Sequence, residues 1–180
     1  KPQIEDFQNR IILMDFWTFC CINCIHVLPE LHRLEQEFGN KLTVLGIHSA
    51  KFENEKDSAQ IVNAINKYGI QHPVANDKDF ILWRAFGIQA WPSFVLLSAE
   101  GKVIDIVSGE DVYAKMQKSI ASEIKSATAK GILKTNSFRV STPRVEGELN
   151  FPGKIIFSED AKTFFVSDSE TLTPLRTTRV

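Results

Sequence analysis

The chain has 180 residues, 43% of them hydrophobic and 24% charged, with a formal net charge of −1. This is the composition of an ordinary globular protein, long enough for one well-buried domain and an appendage. Near-neutral charge without a basic run argues against nucleic acid or an anionic membrane as partner, and no apolar stretch nears the roughly 20 residues of a spanning helix. The chain opens on Lys1 without a signal-like apolar region and is expected to be a fragment, any targeting segment lying outside it.

Residues 10–17 (RIILMDFW) form a nearly continuous apolar run, the pattern of a strand buried on both faces. Residues 22–38 then place Ile25, Leu28, Leu31, Leu34 and Phe38 at helical spacing, with Pro29 expected to kink the helix and Gly39-Asn40 to stop it. Residues 42–48 (LTVLGIH) are a second buried strand, so strand, helix and strand make a parallel crossover. A helix is expected from about Asn54 to Tyr68, then a short strand from His72 to Ala75. Asp77-Lys78-Asp79 should cap a helix running to Phe86 and closed by Gly87. After Trp91-Pro92, strands over 93–98 and 102–107 about the Glu100-Gly101 turn make a hairpin, and residues 111–127 an amphipathic helix. Domain limits follow: 1–130 as the main α/β domain, 131–153 as a Pro- and Gly-containing linker, and 154–180 as a short β segment. Two strands are expected within 154–167; TLTPLRTTRV, at the end, follows no clear period.

The three cysteines, Cys20, Cys21 and Cys24, lie together where the first strand gives way to a helix. Scattered structural thiols would not cluster so, and three are too few for a disulfide scaffold. Thiolate is the reactive species, and free N–H groups at a helix start stabilise it. Cys21, at the mouth of the helix, is therefore the expected nucleophile. Cys24, one turn further in, can close a disulfide with it and is the expected resolving thiol. The same pair could be half of a zinc site, but the sequence offers no second ligand pair, so no metal is expected.

The run ILMDFWTFCCINC resembles the active-site strand and helix start of thioredoxin, and WTFCCINCIHVLPEL resembles its TlpA and tryparedoxin branch. Together with HSAKFENEK, HPVAND and WP, it is similar to the thioredoxin-like domain of the NHL repeat-containing protein 2 family. The tail LNFPGKIIFSEDAKTFFVSDS resembles the start of that family's NHL β-propeller, a likeness that stops near Glu170. The resemblance implies an α/β thioredoxin fold: a central mixed sheet flanked by helices, a TlpA-like insertion before Pro92 and a partial NHL strand segment. It also gives roles to further residues. Asp15 would be the buried aspartate that shuttles the proton of the resolving thiol, the alternative being a strand-end carboxylate that reaches solvent. Trp91 and Pro92 would be the substrate-binding cis-proline pair, the alternative being an ordinary trans proline at a strand start. Trp17 would pack beneath the site, or be plain core. Cys20, where thioredoxin has tryptophan, would be a free thiol packing beside the pair as a redox accessory. His26, His48 and His72 read as surface or internally satisfied histidines rather than ligands.

The leading function is disulfide exchange with a protein disulfide or dithiol, needing no cofactor beyond the Cys21–Cys24 disulfide. The alternative is a binding module, in which the fold serves as a platform beside a propeller that recruits partners. A thiol peroxidase ranks lower: Thr18-x-x-Cys21 resembles peroxiredoxins, but Met14 stands where those have proline. The resemblance leans to the cytosol and leaves periplasmic and lumenal settings open.

Overall fold

Every residue of β1 (Ile11–Trp17) is buried, because the strand is the middle of a sheet covered on both faces. The computed structural model describes residues 4–136 and the backbone of three later strands. Around β1 the five-stranded sheet runs β3 (Val74–Asn76), β2 (Leu42–His48), β1, β4 (Ser93–Leu97), β5 (Val103–Ser108). β1 pairs in parallel with β2 and antiparallel with β4, so the sheet is mixed. Alternation along β1 then divides the core. Ile11 and Leu13 pack with Leu31 and Leu34 of α2 (Leu28–Phe38) and with Met116 and Ile120 of α5 (Val112–Ala129). Ile12, Met14 and Phe16 face the other way, onto Val95, Ile88, Trp83 and Phe86. Burying each such side chain stabilises the domain by roughly 1.5–3 kcal/mol.

Local chemistry explains where the helices begin. The expected helix over 22–38 is two pieces, α1 (Ile22–His26) and α2, joined at Val27. Pro29 lies in the first turn of α2, where its missing N–H costs nothing, so the chain breaks two residues ahead of it, at Val27. The helix expected from Asn54 also starts later. Glu53–Lys56 is a 3-10 turn, and α3 (Ser58–Lys67) begins only after Asp57, whose carboxylate accepts the Ala59 N–H at 2.8 Å. α4 (Ile81–Ala85) is shorter than expected. Asp77 still anchors it, its carboxylate accepting the N–H groups of Leu82 and Trp83 at 3.0 Å each.

Beyond α5, Ile132 and Leu133 pack on the core, the Lys134 N–H donates to Asn9 O at 2.8 Å, and Arg10 donates to Asn136. Most of the expected linker lies outside the described residues. A separate antiparallel sheet follows in the order β6 (Pro152–Ser158), β7 (Thr163–Asp168), β8 (Arg176–Arg179). The first two strands are those expected. The third arises in the segment that showed no period, because pairing with Thr163 to Val166 of β7 supplies a ladder that the polar sequence RTTR does not advertise.

Candidate active site

At the end of β1 the chain turns through 18–20 and enters α1 with Cys21 as N-cap. Cys21 and Cys24 form a disulfide, with Cα atoms 5.2 Å apart. The two sulfurs are not equivalent. Cys24 is fully buried against Trp17, Ile61 and Ile65, whereas Cys21 is only half-buried. The Cys24 N–H also donates to Cys21 Sγ at 3.2 Å. Since α1 is little more than one turn, this single amide, rather than a helix macrodipole, is the group that would favour a thiolate on Cys21 after reduction. Ile22 and Asn23, between the cysteines, are exposed.

Asp15 lies on the same face of β1 as Trp17, register partner to Gly46 of β2 and Phe94 of β4. It is 1% exposed, and neither carboxylate oxygen has a hydrogen-bond partner. Burial pushes its pKa up to about 7, with the nearby His72 charge pulling the other way. The antiparallel register that sets Phe16 against Ser93 brings Pro92 to the end of β1 from which the cysteine turn departs. The Trp91–Pro92 peptide bond is cis. Pro92 is buried; Trp91 is half-buried, donates from Nε1 to Ser49 O at 3.0 Å and packs 4.3 Å from Trp83. Trp17, fully buried, meets His48 edge-on at 5.1 Å.

Glu55 is the group that sequence reasoning missed. Although it sits in the charged run KFENEK, it is fully buried. It accepts the Thr18 hydroxyl and the N–H groups of Cys20 (3.0 Å), Lys51 (2.8 Å) and Phe52 (2.8 Å). Burial alone would raise its pKa, but the bonds from Thr18, Phe52 and Cys20 outweigh that and lower it. Glu55 thus ties the turn before Cys21 to the loop after β2. It also acts on the exposed free thiol of Cys20, whose pKa is raised by desolvation and then by its hydrogen bond to Glu55. His48 backs the same turn. Its ring stacks on Phe19 at 5.3 Å and its Nε2 accepts the Phe19 N–H at 3.3 Å, while burial lowers its pKa to about 4. His48 and His72 are therefore internal, whereas His26 lies at the surface near Glu110.

A sequence model of thioredoxin-like proteins matches residues 9–103, the stretch that builds β1, the cysteine turn and the cis-proline. The chain belongs to the thioredoxin-like family. Its thioredoxin-like domain has relatives among much longer proteins. It is 40% identical to the chloroplastic protein SUPPRESSOR OF QUENCHING 1 of Arabidopsis thaliana, over 92% of this chain and 16% of that one. It is 34% identical to NHL repeat-containing protein 2 of Gallus gallus, over 92% of this chain and 23% of the relative. The chain thus spans under a quarter of the length of either. Among solved structures, a thiol-disulfide isomerase from Corynebacterium glutamicum superposes with a TM-score of 0.61, covering 69% of this chain and 86% of that one at 16% identity, a likeness of fold.

The thioredoxin-like domain therefore gathers Cys21, Cys24, Trp17 and Trp91 into one apolar cluster with α3. Asp15 stands two residues before Trp17 on the strand beneath. Cys20 is an exposed free thiol, its pKa raised by desolvation and then by Glu55. Among the described residues, no helix is long and apolar enough to cross a membrane.

Proposed function

We propose that the domain exchanges disulfides with protein substrates through Cys21 and Cys24. The observation that carries this reading is the asymmetric disulfide: a half-exposed sulfur at a helix start, receiving an N–H, joined to a fully buried one. In the reductive direction the Cys21 thiolate attacks a substrate disulfide, and a substrate thiolate leaves. Cys24 then attacks Cys21 of the mixed disulfide, releasing the second substrate thiolate and restoring the Cys21–Cys24 bond. Asp15, with a pKa about neutral, accepts the Cys24 proton as that thiol becomes nucleophilic. The main chain of Trp91, just before the cis-proline, pairs with the substrate backbone beside Cys21, and the exposed Ile22 offers it an apolar contact. No cofactor enters these steps. In the longer proteins of this type, a propeller would bring further partners to the redox head.

The test is reduction of a protein disulfide such as that of insulin. Cys21→Ser should abolish it. Cys24→Ser should leave a persistent mixed disulfide on Cys21, visible by mass spectrometry without reductant. Full activity in Cys21→Ser would rule out this reading.

A further inference from the structure

Asp15 Oδ1 and Oδ2, Trp17 Nε1 and His72 Nε2 are all buried, and none has a hydrogen-bond partner. Two of these residues converge on Gly46, the register partner of Asp15. A methyl group at position 46 would stand 3.1 Å from Trp17 Nε1, 3.5 Å from His72 Cδ2 and 3.0 Å from Val74 Cγ2. Glycine there keeps a small space between the polar groups free of carbon. Unmet buried polar atoms cost about 1–3 kcal/mol each, and one water with two to four such partners commonly offsets that cost. The other ring nitrogen of His72 leads outward. Nδ1 lies 3.2 Å from Glu35 Oε1, and Glu35, 26% exposed, reaches His32 at 3.9 Å. These three line a cavity of about 340 Å³ together with Arg10, Leu42 and Thr43. Arg10, Leu42 and Thr43 mark the beginnings of β1 and β2, whereas Cys21 follows the end of β1.

We propose that His72 and Glu35 form a proton relay that connects the buried carboxyl of Asp15 to solvent at the end of the sheet remote from Cys21. The proposal rests on the reading of Asp15 as proton acceptor for Cys24, and it supplies what that reading needs. A protein substrate bound over Cys21 covers the near approach to the site, so the proton must come and go by another route. In release, the Asp15 O–H breaks as an N–H forms at His72 Nε2, directly or through one bridging water. The Nδ1–H then breaks as an O–H forms on Glu35, which gives its proton to solvent. Only bonds to hydrogen change, and no electrons are transferred. The titratable and charged groups around the route are His32 and Glu35 from α2, Tyr68 at the end of α3, Arg10 leading into β1, and the cysteines of α1.

Two readouts decide it. Exchange is compared with a protein disulfide and with oxidised glutathione, which is too small to cover the site. Glu35→Gln, at a partly exposed position, should slow exchange with the protein disulfide by about tenfold. With oxidised glutathione its rate should stay within a factor of about two. Equal effects on both substrates, or none on either, would overturn the relay. Independently of activity, carboxyl ¹³C NMR follows the titration of Asp15. His72→Phe should move its midpoint above that of the native protein, since the His72 charge draws it down; an unmoved midpoint also overturns the relay. If the native protein exchanges neither substrate, the functional reading fails and the relay falls with it, whereas native exchange combined with equal Glu35→Gln effects or an unmoved midpoint overturns the relay alone.

Discussion

Two carboxylates are buried beside the redox pair, and their surroundings make them opposites. Asp15 is enclosed by strands that spend their N–H groups on one another, so its oxygens meet no donor and its pKa rises to about 7. Glu55 is also closed to solvent, but it lies where a loop and a turn have N–H groups to spare, and it collects three of them and a hydroxyl. Its pKa falls. Both side chains are closed to solvent, Asp15 the more deeply, and the supply of donors turns the sign at Glu55. The carboxylate without donors holds its proton up to about neutral pH, and the one with four is a fixed anionic bracket.

The largest expected effect comes from breaking the first half of that comparison. Asp15→Asn should slow disulfide exchange at neutral pH by about 100-fold, the scale of a positioned proton-transfer group. It should also change the stability profile, and here the sign is distinctive. The folded protein keeps the Asp15 proton until about pH 7, whereas the unfolded chain releases it near 3.8. Native stability contributed by Asp15 is therefore complete below the lower value and is lost as pH rises through the higher one, by on the order of 4 kcal/mol. Asp15→Asn removes this loss. His48 acts in the other direction: neutral in the fold down to about pH 4 but protonated near 6.5 when unfolded, it lowers stability as pH falls across that interval. Urea unfolding of Asp15→Asn should accordingly show stability climbing from pH 4 to 6.5 and then levelling above the native value. A variant no more stable than the native protein at pH 8 would show that Asp15 has donors in solution.

Glu55 should respond in the opposite way. Glu55→Ala removes the acceptor of the part-buried N–H groups of Cys20, Lys51 and Phe52, at a cost of about 3 kcal/mol in unfolding free energy. A loss below about 1 kcal/mol would mean that water reaches these donors. The milder Glu55→Gln keeps the shape and removes the charge. Since Glu55 adds to desolvation in raising the Cys20 pKa, alkylation of Cys20 at neutral pH should quicken in this variant. An unchanged rate would leave Cys20 governed by its own desolvation alone.

The first carboxylate was legible in the sequence and the second was not, for a physical reason. Asp15 interrupts an apolar strand, which marks it as unusual, and the family resemblance implies its burial. Glu55 stands among charged and polar neighbours in KFENEK, and its burial depends on a turn 35 to 37 residues earlier folding over it. The same holds elsewhere. β1, β2, the hairpin and α5 are local patterns and could be read directly. The cis Trp91–Pro92 bond came through family resemblance, and the approach of the His72 ring to Gly46 through neither, because it needs the sheet register and the β2–β3 connection together. The expectation of one helix over 22–38 was right about Pro29 and wrong about continuity, since the proline starts a new helix rather than bending an old one.

Thiol reactivity mapped one cysteine at a time tests the central claim most directly. The reduced protein is treated with limiting iodoacetamide at mildly acidic pH, and the labelled peptides are resolved by mass spectrometry. Cys21, which receives the Cys24 N–H at the helix start, should be labelled well ahead of Cys20, whose pKa desolvation and Glu55 raise, and of Cys24, which is buried. Preferential labelling of Cys20 would contradict the account, because the exposed neighbour rather than the helix-capping sulfur would then be the attacking thiol.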